Sequence, residues 1–140
     1  MKDKMILFVC KANSGRSQMA EGFFNRISKT NKAMSAGIKP DKALHPWTIK
    51  LMKEVGIDVS RNRPGRLTKK MLERAEKIII VGSEVLKSIP PEYLSKVERW
   101  RIEKLLGKPI NQVRRIRNKI GERVEKLIKE INETSRLKNC

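Results

Sequence analysis

The chain has 140 residues and carries 33 Lys+Arg against 15 Asp+Glu, a formal net charge of +18. That length suits one domain with a real core, and no apolar run approaches the ~20 residues of a membrane span. The apolar part of the start, MKDKMILFVC, is too short for a secretory signal. Two cysteines, Cys10 and Cys140, sit at opposite ends and do not suggest a disulfide framework, so a reducing cytoplasm is the expected compartment. The surplus of cations can steer anionic substrates. Scarce aromatics and no zinc-ligand spacing argue against a dedicated nucleic-acid module.

In chain order, residues 5–9 are a short unbroken apolar run, as expected for a strand buried on both faces. Cys10 ends it. Lys11, Ala12, Asn13, Ser14 and Gly15 then form a small polar loop before Arg16 and Ser17, and a helical period begins over 16–29 with Met19, Ala20, Phe23, Phe24 and Ile27. Residues 33–38 read as a second strand. A helix is predicted from Pro46, with Trp47, Leu51, Met52 and Val55 inward and Gly56 ending it. His45 reads as a helix-entry residue. A loop over 57–66 follows, marked by Asn62 and Pro64-Gly65, and then a helix to about residue 75 with Thr68 as its N-cap.

Lys77–Val81 is a clear buried strand, and 82–88 read as a turn and short helix that Pro90-Pro91 interrupts. Residues 96–102 are predicted as the last strand, at a sheet edge because of their charge. A long amphipathic helix over 110–133 closes the chain, with Val113, Ile116, Ile120, Val124, Leu127 and Ile131 along one stripe. Its Arg114, Arg115, Arg117, Lys119 and Arg123 read as a solvated face. Residues 135–140 are expected to fray. Alternating strands and helices imply an α/β three-layer sandwich: a four-stranded parallel sheet with helices on both faces, in one domain spanning 1–140.

The chemistry concentrates at Cys10–Ser17. A helix start leaves backbone N–H groups unpartnered and its dipole favours negative charge. Asn13 and Gly15 tolerate positive φ, so successive amides can turn inward around a tetrahedral anion. Lys11, Ala12, Asn13, Ser14, Gly15 and Arg16 would then make an oxyanion-binding loop, with Arg16 as a planar two-toothed clamp. The same field favours a thiolate at Cys10, and the Ser17 hydroxyl could donate to that sulfur. Nucleophile, anion cradle and charge clamp are thus held together.

The C-x5-R-S spacing from Cys10 to Ser17, between a strand and a helix, resembles the loop of cysteine-dependent phosphatases. With SQMAEG at 17–22, SAGI at 35–38 and MKEVGIDVS at 52–60, nearly the whole chain resembles two relatives on one fold, low-molecular-weight protein tyrosine phosphatases and thioredoxin-coupled arsenate reductases. The flanking words look more like the reductase branch. The resemblance implies the phosphotyrosine phosphatase I-like fold, a Cys10 nucleophile and no metal or organic cofactor.

Two departures matter. The phosphatases carry an Asp-Pro acid after the last strand; aligned on Trp100 and Gly107-Lys108, that Asp falls at Lys104 and its proline at Leu105. Glu103, one residue earlier, is the substitute candidate acid. The reductases carry two further cysteines for a disulfide relay, which would fall near Gly82 and near Ser88-Ile89. The leading expectation is therefore a phosphatase that hydrolyses phosphate monoesters through a cysteinyl-phosphate, with Cys10, Arg16, Ser17 and Glu103 as catalytic residues. The alternatives are an arsenate reductase that uses an external thiol, and a weakly catalytic oxyanion-binding protein. Lys11 and Ala12 provide no aromatic wall, which favours phosphate esters or small oxyanions over phosphotyrosine.

Overall fold

The computed structural model describes residues 5–138. Four parallel strands form one sheet in the order β2-β1-β3-β4, with β1 Met5–Cys10, β2 Lys32–Gly37, β3 Lys77–Val81 and β4 Val97–Trp100. Every residue of β1 is buried, because side chains alternate into two separate cores. Ile6 and Phe8 join one core; Met5, Leu7 and Val9 join the other. The expected parallel sheet covered on both faces is what forms.

On the first face lie α1 (Arg16–Ile27), α2 (Pro46–Glu54) and α4 (Ile110–Lys138). Phe8 meets Phe24 edge-on at 6.1 Å between ring centroids and Trp100 at 5.6 Å. The α4 stripe docks here: Val113, Ile116, Ile120, Val124 and Leu127 are buried, and Ile131 packs against them. The second face holds α3 (Lys69–Arg74) and two 3-10 turns, Ser83–Ser88 and Pro91–Lys96. Thr68 caps α3 as expected, its hydroxyl accepting from the Met71 amide at 3.2 Å.

Several expectations change. The last strand is shorter than 96–102, because Pro91–Lys96 coils before it and the chain leaves the sheet after Trp100. It does lie at the sheet edge. Val55 is exposed, because α2 stops at Glu54 and Val55 is its C-cap. The final helix continues to Lys138, so 135–138 are helical; Cys140 and Asn139 lie outside the described residues. The α4 cations are not one solvated face. Arg117 is only 8 % exposed, and it and Arg114 both bind Glu54 of α2, at 2.7 and 2.8 Å. Arg123 stacks over the Trp100 ring.

Candidate active site

β1 delivers Cys10 to the carboxyl edge of the sheet, between neighbours β2 and β3, where such sheets form their crevices. The thiol is 3 % exposed. Asn13 turns the chain, with φ of 51° in the left-handed region that asparagine tolerates. Its amide then donates to Cys10 Sγ at 3.2 Å. Ser17 Oγ lies 2.8 Å from the same sulfur and accepts from Asn13 Nδ2 at 2.8 Å. A hydroxyl has one proton; with Asn13 donating to the oxygen, that proton is available to a thiolate.

Gly15 is the N-cap of α1 and has no side chain to offer its first turn. The amides of Ser14 and Gly15 meet no acceptor among the described residues. These are the donors a helix start presents to an anion. Gly15 itself differs from expectation: its φ is −138°, so left-handed freedom is not why glycine stands here. A Cβ would lie 2.6 Å from a Leu105 methyl, so any larger residue here requires that methyl to move.

The loop is fixed from outside by distant residues. Asn13 Oδ1 accepts from the Gly65 amide at 2.9 Å and from Gln18 Nε2 at 3.2 Å. Ser14 Oγ donates to Asp41 Oδ2 at 2.7 Å, and Ser14 O accepts from Thr48 Oγ1 at 2.8 Å and from the His45 amide at 3.0 Å. Asp41 N donates to Ala12 O at 3.0 Å. Asp41, Thr48, Gly65 and Gln18 were not candidates from sequence. Only Gln18, inside SQMAEG, carried any signal. His45 is the helix-entry residue expected, its Nδ1 accepting from the Trp47 amide at 3.1 Å.

Arg16 is 8 % exposed and its guanidinium is already oriented. Nη1 donates to Ile102 O at 2.9 Å, and Nη2 pairs with Glu84 Oε1 at 3.3 Å. Burial works against the Glu84 carboxylate, but its own amide and the charges of Arg16 and Lys104 outweigh this and hold its pKa below the usual carboxylate value. Gly82 follows β3 with φ of 144°, and a Cβ there would approach Arg16 Nη1 to 2.9 Å. A larger residue would be strained and would press on the clamp.

The structure therefore brings Cys10, Asn13, Ser14, Gly15, Arg16 and Ser17 into one constellation, with Lys11 exposed and Ala12 half-buried on its rim. Glu103 lines a groove with Gly82 and Ile102, both of which approach the Arg16 guanidinium, and no hydrogen bond ties it to the loop among the described residues. The Glu103 side chain is 60 % exposed, and its ion-pair partner is Lys108 at 4.0 Å. Leu105 is buried against Gly15, where the resemblance places a proline. Among the described residues no group of three His, Cys, Asp or Glu side chains could hold a metal ion, and no helix is long and apolar enough to cross a membrane.

A family model for low molecular weight phosphotyrosine protein phosphatase matches residues 5–137. The glutaredoxin arsenate reductase of Synechocystis is 34% identical over 132 residues, covering 92% of this chain and 99% of that protein. Among solved structures, arsenate reductase from Archaeoglobus fulgidus is 32% identical with a TM-score of 0.76, over 88% of this chain and 98% of that one. The low molecular weight protein tyrosine phosphatase from T. tengcongensis is 28% identical with a TM-score of 0.83, over 91% and 99%. Loop, sheet and likeness agree: this chain belongs to the low molecular weight phosphotyrosine protein phosphatase family.

Proposed function

We propose that the chain is an arsenate reductase in which Cys10 attacks the oxyanion and thiols from outside the chain supply the electrons. This reverses the order expected from sequence, where phosphate-ester hydrolysis stood first. The named relatives at 30% identity and above are arsenate reductases. The observation that carries the reading is a thiol held by Ser17 and Asn13 under an anion cradle, with the acid expected from sequence, Glu103, exposed and paired with Lys108. A phosphate ester expels an alkoxide or phenoxide, which needs a proton from the enzyme. Arsenate likewise expels a hydroxide that must leave as water, so the choice between the two chemistries rests on the relatives and not on the leaving group.

Cys10 thiolate forms an S–As(V) bond and hydroxide leaves as water after protonation. The loop amides and Arg16 stabilise the arsenate oxygens. An external thiolate then attacks Cys10 Sγ, the S–As electron pair passes to arsenic, and arsenite leaves as As(III). A mixed disulfide remains on Cys10, and a second external thiol restores the thiolate. The two thiols are oxidised to a disulfide as arsenic is reduced by two electrons. The experiment is arsenite release from arsenate with glutathione and glutaredoxin, or with dithiothreitol. Release that needs both Cys10 and a thiol is expected; no release with any thiol would sink the reading.

A second reading, phosphate-ester hydrolysis, draws support from the missing relay: glycine stands at 82, and serine and isoleucine at 88 and 89. Without a placed acid, turnover of an ester with a basic leaving group, such as phenyl phosphate, should fall short of an acid-equipped enzyme by roughly 10²–10⁴.

A further inference from the structure

Beside the catalytic loop runs a groove of about 390 Å³ lined by Lys42, Ala43, Leu44, Ile49, Ser60, Arg61, Asn62 and Arg63. Its three charged residues are all cations, and all three are exposed. Three other grooves on the described surface mix their charges. One has Glu103 beside Arg99 and Arg101, one has Glu76 and Glu130 beside Lys77 and Lys96, and one has Glu98 and Glu130 beside Arg123 and Lys126. Acids near this groove are engaged: the Asp58 carboxylate, in the field of Arg61, accepts from the Ser60 amide at 2.9 Å, and Asp41 binds Ser14.

Both walls are tied to the catalytic loop. One wall reaches it through Asp41 N to Ala12 O and His45 N to Ser14 O, at 3.0 Å each. The other reaches it through Gly65 N to Asn13 Oδ1 and Gln18 Nε2 to Arg63 O, at 2.9 and 3.4 Å. Both walls of the groove are therefore held in place by the loop that carries Cys10. A compact phosphate is best held by converging fixed donors, which the catalytic loop already offers. Here the cations stand on two separate loops over an apolar floor of Leu44 and Ile49, a layout that suits an extended chain. No aromatic lines the groove to stack a base.

We propose that this groove docks an acidic, carboxylate-rich segment of a protein partner, independently of the chemistry at Cys10. The probe is a fluorescein-labelled deca-glutamate peptide, followed by anisotropy at low salt with the full chain. Lys42→Glu, Arg61→Glu and Arg63→Glu together should weaken binding roughly tenfold or more. A control triple on α4, Arg115→Glu, Lys119→Glu and Lys126→Glu, changes net charge equally and should weaken it far less. Circular dichroism and melting confirm that both triples fold. Cys10→Ser should leave binding unchanged, as should saturating phosphate compared with chloride at the same ionic strength. Equal loss in the two triples would reduce the effect to bulk charge and overturn the proposal. Displacement by phosphate would place the peptide on the catalytic loop, and tighter binding of poly-uridylate with the same dependence on the groove triple would make the occupant a nucleic acid; either result also overturns it.

Discussion

At the scale of single residues, the reactivity proposed for Cys10 rests on two short contacts. Asn13 Nδ2 donates to Ser17 Oγ, and Ser17 Oγ lies 2.8 Å from the sulfur. Removing a hydrogen bond to a charged group costs about 1.5–3 kcal/mol, so Ser17→Ala should slow thiolate chemistry by roughly tenfold to a hundredfold. The check is alkylation by iodoacetamide at neutral pH alongside arsenite release. Both should fall together while the melting temperature moves little. Unchanged alkylation would mean that Ser17 only packs. Asn13→Ala is a poorer test, because Asn13 also accepts from Gly65 and Gln18 and its loss would loosen the whole loop.

At the scale of elements, the joint between α2 and α4 is electrostatic as well as apolar. Glu54 accepts from Arg114 and Arg117, and these bonds, Arg114's first, hold its carboxyl at about 2 against an ordinary value of 4.5. A carboxyl depressed on folding stabilises the native state above its unfolded pKa and loses that contribution as pH falls towards the folded value. Glu54→Gln should therefore be less stable than the parent at neutral pH. The gap should close between pH 4.5 and about 2. Urea melts of both proteins across that range measure it. A gap that does not vary with pH would show that the ion pairs contribute nothing.

The same joint shows where sequence stops being informative. β1 and β3 were legible because strands buried on both faces leave unbroken apolar runs, and the α4 stripe because it repeats every turn. Arg117 was not, since its partner Glu54 is 63 positions away and a cation on a helix otherwise reads as solvated. The 3-10 turn at Pro91–Lys96 was hidden because two consecutive prolines read only as a break. Of the candidate site, Cys10, the loop after it and Arg16 sit in one contiguous stretch, so the proposal of a nucleophile, cradle and clamp could be framed from the sequence. Glu84, Asp41, Thr48 and Gly65 could not be read there, because they act through contacts that only the fold creates.

At the scale of the whole molecule, a net charge of +18 surrounds the proposed anion site. Such a field raises the local concentration of a negatively charged substrate without altering the bond-making step. Raising sodium chloride from about 0.01 to 0.15 M shortens the screening length from about 30 to 8 Å. The value of kcat/KM for arsenate should fall across that range while kcat at saturating arsenate stays nearly constant. Direct competition by chloride in the cradle would give a similar trend, so the titration needs a second salt with a bulkier anion. Screening depends on ionic strength alone and predicts superimposed curves for the two salts. Competition predicts curves that separate by anion, and a flat response to both would mean that the surface cations do not guide substrate to Cys10.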